Sequence, residues 1–385
     1  MKSNTAIIPF NQCFFKELVD SRKGFNAQLS KTLSAPTSFG ITNYCCDKRL
    51  VWTLLIILLF GNTIFAGEQQ FAHLGDLKLE NGGVIKDCFI GYRTFGKRNA
   101  DGSNIVVIPM WAGGKTEQLH LEPSDTGKLV DTNKYYVIAI DPLSNGVSSS
   151  PSNSKLQPRM KFPQYTMRDL INAEHELLVR TLGVVHVRAI IGASMGAMQT
   201  FQWMVSYPDF ADRAVPIVGS PQLAPYDLVQ WQTQIDAITV DAGWMSGEYK
   251  ESPARTAEYE FGAILLTTPA EFNRKMTREK VLEEIRKARD NTVFDANNKI
   301  RQVQAMLSID VTEKFGESWE KAAAAVKAKT FVIVAKYDHV VTPMPALKLA
   351  ELLQARTMIL DGDCGHLEPS CQSDKVNAAV AEFLD

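Results

Sequence analysis

Cysteine is scarce in this chain. Six residues in 385 are too few for a fold stapled throughout by disulfides. Neither sign of charge dominates: 41 Lys and Arg face 43 Asp and Glu, a formal net charge of −2, so no basic field marks nucleic acid as a partner. The sequence shows no internal repeat, no low-complexity tract, no metal-ligand cluster and no Gly-rich nucleotide loop. With 45% hydrophobic and 22% charged residues it is not disordered, collagenous or wholly membrane-embedded. What remains is a globular chain large enough for one sizeable α/β core with an insertion.

Long apolar runs are also rare, with one exception. Leu50 to Ala66 spans 17 residues without a charge, after Lys48 and Arg49. It falls short of the ~20 residues of a typical membrane span. Leu50 to Phe60 reads as the apolar region of an export signal, with Ala66 at the cleavage position. An uncleaved anchor and a buried core segment are the alternatives. The basic flank keeps the N-terminus cytoplasmic, so either membrane reading places the rest of the chain outside the cytoplasm, as a periplasmic, secreted or anchored protein. Residues 1–49 form a polar leader without periodicity, disordered or the product of a start codon placed too early. Residues 1–66 hold seven basic and three acidic side chains, so the remaining 319 residues carry a net charge of −6.

Beyond residue 66 the pattern alternates. Residues 71–96 read as a hairpin around Asn81-Gly82-Gly83. Short apolar runs follow at Ile105–Pro109, Tyr135–Ile140, Val187–Ile191, Ala214–Val218, Phe331–Ala335 and Thr357–Leu360, as expected of strands buried on both faces of a parallel sheet. Helical periodicity lies between them at Thr166–Leu182, Met195–Tyr207, Pro345–Leu353 and Val376–Leu384. The alternation predicts a doubly wound, mostly parallel α/β sheet flanked by helices, built from 67–221 and 329–385. Residues 222–328 contain no convincing strand and read as a helical cap.

The chemistry centres on Gly192-Ala193-Ser194-Met195-Gly196. It matches G-x-S-x-G and stands between an apolar run and a helix, the strand–turn–helix context of a nucleophile elbow. Such a turn lifts Ser194 above the sheet, and the helix start leaves N–H groups for an oxyanion. A serine hydroxyl needs a base. The order Ser, acid, His of this fold selects His366, in the loop after the last strand. Asp338, at the end of Phe331–Asp338, is the preferred acid, with Asp361 and Asp363 as rivals close to His366 in sequence. His339, directly after Asp338, reads as a loop residue, and His175 and His186 need only core or surface roles. The loop Pro109-Met110-Trp111-Ala112-Gly113-Gly114 follows the first parallel strand. There the backbone N–H of Trp111 or Ala112 is the candidate second oxyanion donor, beside that of Met195. The glycines could instead simply turn the chain, and Trp111 could wall the acyl pocket or belong to the core.

These residues resemble the homoserine O-acetyltransferase family. The resemblance rests on Ala193-Ser194-Met195-Gly196-Ala197-Met198-Gln199, Trp203, Tyr207-Pro208-Asp209, Thr166-Met167-Arg168-Asp169 and Leu182-Gly183-Val184. It implies an α/β-hydrolase fold with a helical lid and a Ser-His-Asp ping-pong mechanism with Ser194, Asp338 and His366 in the triad roles. Three departures stand out. The family's oxyanion loop is similar to His-Ala-Leu-Thr-Gly, where this chain has Met110-Trp111-Ala112-Gly113-Gly114. Its Pro-Arg after the strand following the elbow is Pro221-Gln222 here, which removes a cation suited to an amino-acid carboxylate. Its Gly-His-Asp-Ala-Phe is Gly365-His366-Leu367-Glu368-Pro369.

The sequence is therefore read as a divergent, hydrolase-like member: a serine-dependent acyl-transfer enzyme, with ester hydrolysis preferred. An acetyl-CoA-dependent O-acetyltransferase and a non-catalytic binding module are the alternatives. The expected partner is a small acyl ester. No cofactor or metal is expected, acetyl-CoA entering only as co-substrate of the transferase reading, and no membrane contact beyond the N-terminal segment. Oligomeric state is left open, a homodimer included. If the chain is exported, Cys364 and Cys371 are seven residues apart and bracket His366. They then either pair, leaving Cys88 free, or remain two reduced thiols.

Overall fold

The computed structural model describes residues 67–119, 121, 128–289 and 294–385. The leader 1–49, the apolar run 50–66 and His120 lie outside the described residues. Eight strands form one sheet in the order β1-β2-β4-β3-β5-β6-β7-β8: β1 (Gln70–Lys78), β2 (Val84–Phe95), β3 (Ile105–Pro109), β4 (Tyr136–Ile140), β5 (Val187–Ala193), β6 (Ala211–Ile217), β7 (Lys329–Ala335) and β8 (Arg356–Leu360). The β1–β2 hairpin joins β4 antiparallel, and β4 through β8 run parallel. All five residues of β3 are buried, as are the last six of β7. Strands covered on both faces lose the in–out alternation, and their near-continuous apolar runs follow from that.

The helices are α1 (Met167–Glu176), α2 (Met195–Ser206), α3 (Pro225–Thr239), α4 (Thr256–Leu266), α5 (Pro269–Lys275), α6 (Arg278–Ala288), α7 (Ala296–Leu307), α8 (Trp319–Ala325), α9 (Met344–Leu352), α10 (Glu368–Cys371) and α11 (Ser373–Leu384). Helical periodicity predicts an uninterrupted helix to Leu182, but α1 stops at Glu176. A five-residue π turn, Leu177–Thr181, follows and keeps Leu177 and Leu178 buried, so the wider turn serves packing. Thr166 opens α1 with a reciprocal cap: its hydroxyl accepts the Asp169 N–H while Asp169 accepts the Thr166 N–H. Between β6 and β7 the chain is helical, α3 to α8, with one isolated bridge joining Gln222 to Asp310. Among the described residues no helix is long and apolar enough to cross a membrane.

Candidate active site

The C-terminal ends of the parallel strands converge on one edge. There the Met110, Ser194 and Val218 N–H groups bond to Ile140, Ile217 and Ile333, each on the neighbouring strand. Ser194 sits between β5 and α2 at φ 56° and ψ −122°, a backbone state that a side chain bearing Cβ rarely adopts. Two glycines make that turn possible. A methyl group at Gly192 would overlap the Gly196 carbonyl oxygen, and one at Gly196 would overlap the Pro109 carbonyl oxygen. The strand, the helix and the loop after β3 therefore cross at a spacing that no Cβ permits.

Three side chains meet above this turn. His366 Nδ1 lies 2.7 Å from Asp338 Oδ2, and His366 Nε2 lies 2.9 Å from Ser194 Oγ. An ionised carboxylate only accepts, so Nδ1 carries the proton and Nε2 accepts from the serine hydroxyl. Asp338 and His366 are each 4% exposed. The other Asp338 oxygen accepts the N–H groups of Val340 and Val341 at 2.8 and 2.9 Å, which fixes the carboxylate plane. Of the rival acids, Asp361 is exposed and Asp363 faces Arg274 in a two-point ion pair, which holds its pKa below the usual carboxylate value. His175 stacks on Tyr207 with ring centroids 3.9 Å apart, and His186 bonds at the surface to Asp209 and Asp212.

Met195 is the first residue of α2, where backbone N–H groups have no acceptor within the helix. In the facing loop, the Met110, Gly113 and Gly114 N–H groups bond to Ile140 O, Gln302 Oε1 and Trp111 O. Trp111 is half-buried and its indole lies over Gly114, where a Cβ would overlap the ring. Ala112 is partly buried and packs against the core.

Gln199 has no role of its own in the sequence motif. Its buried amide donates to Met110 O at 2.9 Å and to Met195 O at 3.2 Å, so it ties the loop to the elbow. Its position five residues after the serine, in the second turn of the helix that follows the elbow, is the signal that could have given this role. Gln302 on α7 bonds Gly113 N–H at 2.7 Å and Leu143 O at 3.1 Å, and nothing in the sequence pointed to it.

The histidine loop is cross-linked. Cys364 and Cys371 form a disulfide, and Cys88 is free and buried, its thiol pushed up to about 12 by burial. Glu368, in place of the family's small residue, is buried and accepts the Cys364 N–H at 2.7 Å. The cap reaches the same loop: Thr268 donates its hydroxyl to Asp363 O at 2.6 Å, and Arg274 pairs with both Asp363 and Glu271. Glu271 beside Cys364 and Cys371 is a grouping of metal-type ligands, but both sulfurs are in the disulfide. A cleft of about 280 Å³ lies at the other end of α2, among Arg168, Gln202, Tyr207 and Lys314, away from Ser194.

Residues 105–368 match the family model described as the alpha/beta hydrolase fold. The chain belongs to the α/β hydrolase fold family. It is 30% identical over 336 residues to an ethyl acetate hydrolase of Pseudomonas veronii, covering 83% of this chain and 96% of the relative. It is 27% identical over 336 residues to a homoserine O-acetyltransferase of Chlorobaculum tepidum, covering 82% of this chain and 94% of the relative. The solved structure of an acetylester hydrolase from Corynebacterium glutamicum superposes with a TM-score of 0.76 at 27% identity, over 83% of this chain and 96% of that one. This α/β hydrolase is thus an enzyme of the acyl hydrolase or O-acyltransferase type.

Proposed function

We propose that this α/β hydrolase is a serine esterase that cleaves small acyl esters through an acyl-enzyme on Ser194. The observation that carries the reading is the continuous hydrogen-bonded line from Ser194 Oγ through His366 to Asp338, at 2.9 and 2.7 Å. Ser194 Oγ attacks the ester carbonyl and its proton passes to His366 Nε2. Asp338 holds the tautomer and stabilises the imidazolium without taking the proton. The oxyanion of the tetrahedral intermediate accepts from Met195 N–H and from one donor of the loop after β3. Engagement of the Met110, Gly113 and Gly114 N–H groups supports Ala112, with Trp111 the other expected donor. On collapse the carbonyl–alkoxy bond breaks and His366 returns the proton to the leaving alcohol. Water then attacks the acyl-enzyme by the same route and releases the acid.

Water is preferred as acceptor because Gln222 stands where the transferase family has an arginine, and its amide is held by Asp310 at 2.8 Å. A neutral amide is a poorer partner for an amino-acid carboxylate than a guanidinium. We also assign the protein to an oxidising compartment outside the cytoplasm, a reading supported by the Cys364–Cys371 disulfide and by the apolar run at 50–66.

Intact mass after brief exposure to 4-nitrophenyl acetate, and separately to acetyl-CoA, tests this. The ester is expected to leave one acetyl group on the wild-type protein and none on Ser194→Ala, and homoserine should change the steady-state hydrolysis rate only slightly. Saturable formation of O-acetylhomoserine from acetyl-CoA would replace the hydrolase by the transferase reading. Absence of any adduct and any turnover would leave a binding module.

A further inference from the structure

The cap holds a charge cluster that the acyl-transfer steps do not use. Arg255, at the start of α4, is 4% exposed, and its guanidinium donates to Glu258 Oε2 at 2.5 Å. The other Glu258 oxygen lies 3.3 Å from Lys299 Nζ on α7. Two cations therefore share one carboxylate, and the cluster carries a net charge of +1 among the described residues. Lys299 Nζ also stands 5.6 Å from the centre of the Trp231 ring on α3. Two buried donors in this cluster, Arg255 Nε and Trp231 Nε1, have no acceptor among the described residues. Interior charges are normally paired and buried donors normally bonded, so a net cation with two idle N–H groups is an arrangement that lacks an anionic acceptor.

Each element of the cluster reaches the catalytic edge. Lys299 is one turn along α7 from Gln302, which holds Gly113 N–H of the oxyanion loop. The Phe294 ring, 5.9 Å from the Arg255 guanidinium carbon, lies against Gly113. Gln230, beside Trp231, donates to Val340 O two residues beyond Asp338. At the other end of α4, Leu266 and Thr267 lie against Gly365, next to His366. A guanidinium edge with an indole N–H and an ammonium is a donor-only set suited to a carboxylate.

We propose that Arg255, Lys299 and Trp231 form an anion subsite in the cap that holds a carboxylate carried by the ester substrate of Ser194. This rests on the esterase reading and narrows it to carboxylate-bearing esters. It also moves the recognition of negative charge from position 222, where the family resemblance would put it, to Arg255, Lys299 and Trp231.

Two pairs of esters locate the carboxylate. Mono-4-nitrophenyl glutarate against 4-nitrophenyl butyrate places it in the acyl half, and 4-acetoxybenzoate against phenyl acetate places it in the alcohol half. The wild-type kcat/KM is expected to favour the anionic member of one pair by about tenfold, equivalent to about 1.4 kcal/mol. Arg255→Gln and Lys299→Gln, each checked for folding by circular dichroism, should bring that ratio towards one. Lys299→Gln keeps the test open if loss of the more buried Arg255 unfolds the cap. Calorimetry of glutarate and of 4-hydroxybenzoate on Ser194→Ala should show saturable binding of one of them, weakened by salt and by Lys299→Gln. A preference for the neutral ester in both pairs overturns the subsite, as does absence of binding of either anion. Anion binding to Ser194→Ala with no turnover of any of the four esters by the wild type would instead remove the esterase reading and keep the subsite.

Discussion

Ser194 and His366 stand 2.9 Å apart, yet different forces bring them there. Ser194 is held by the sheet. Its N–H bonds to Ile217 on β6, its turn requires the close crossing at Gly192 and Gly196, and Gln199 ties the helix after it to the loop after β3. None of these contacts titrates or can be reduced. His366 rides on a loop beyond β8 and is held by cross-links: one disulfide whose two cysteines flank it, a buried Glu368 carboxylate on the Cys364 N–H, and cap residues Thr268 and Arg274 on Asp363. Arg274 and Asp363 are well exposed, so that ion pair contributes little on its own. Ser194 is thus set by steric fit of the backbone, and His366 by bonds that solution conditions can change.

Removing either partner has the largest effect. Ser194→Ala is expected to lower kcat by ~10⁴–10⁶ while the protein stays folded, because only a hydroxyl is lost and the backbone turn is kept. His366→Ala should be similarly damaging. Steady-state kinetics on an activated acetyl ester, with circular dichroism as a fold control, reads both. Near-normal turnover in either variant would remove that residue from the mechanism.

Opening the disulfide separates the two regions. The Cys364→Ser, Cys371→Ser double variant should lose kcat by roughly fivefold with KM little changed, because a looser imidazole spends less time in the attacking geometry. The stability lost should be below the ~3 kcal/mol expected for a 15-residue loop, since the two cysteines are only seven positions apart. A denaturant titration measures the second quantity. Mild reduction of the wild type should reproduce the kinetic change and reoxidation should reverse it. An unchanged kcat would show that the other contacts of the loop position the histidine without the disulfide.

Most of the sheet-held half was legible in the sequence. Strands buried on both faces leave short apolar runs, and the elbow is local, five residues whose spacing reports a strand–turn–helix. Asp338 and His366 followed from chain order and from their places at strand ends. The cross-links of the second half were less visible, because they join residues distant in sequence whose types are common at any surface. Arg274 meets Asp363 across 89 positions, and Gln302 meets Gly113 across 189. The Cys364–Cys371 pairing was an open expectation that rested on the export reading and on two cysteines seven positions apart that flank one histidine. The end of α1 at Glu176 was hidden for another reason: a π turn keeps Leu177 and Leu178 buried, so hydrophobic periodicity continues through it.

The smallest effect on activity concerns a titrating group behind Ser194. Glu174 on α1 is fully buried against α2, where Trp203 Nε1 donates to its Oε2 at 3.0 Å and its Oε1 has no partner among the described residues. Burial pushes its pKa up to about 8, against the smaller opposing influence of the Trp203 bond. Below about pH 4.5 the carboxyl is neutral in both the folded and unfolded chains, and the fold keeps its full stability. As pH rises from there to about 8 the unfolded chain ionises while the folded one resists, so stability falls. Above that range both forms are ionised and the loss is complete. Glu174→Gln retains an acceptor for Trp203 and removes the titration, so its Tm should decline less than that of the wild type between about pH 5 and about pH 8. Neighbouring His175, whose pKa burial lowers, is common to both proteins and drops out of the comparison. Turnover at neutral pH should change by less than about twofold, because the sheet-held turn is fixed by sterics rather than by this charge. Parallel Tm-against-pH curves for the two proteins would refute the assignment, and a large loss of kcat in Glu174→Gln would show that the seat of Ser194 does depend on a titrating group.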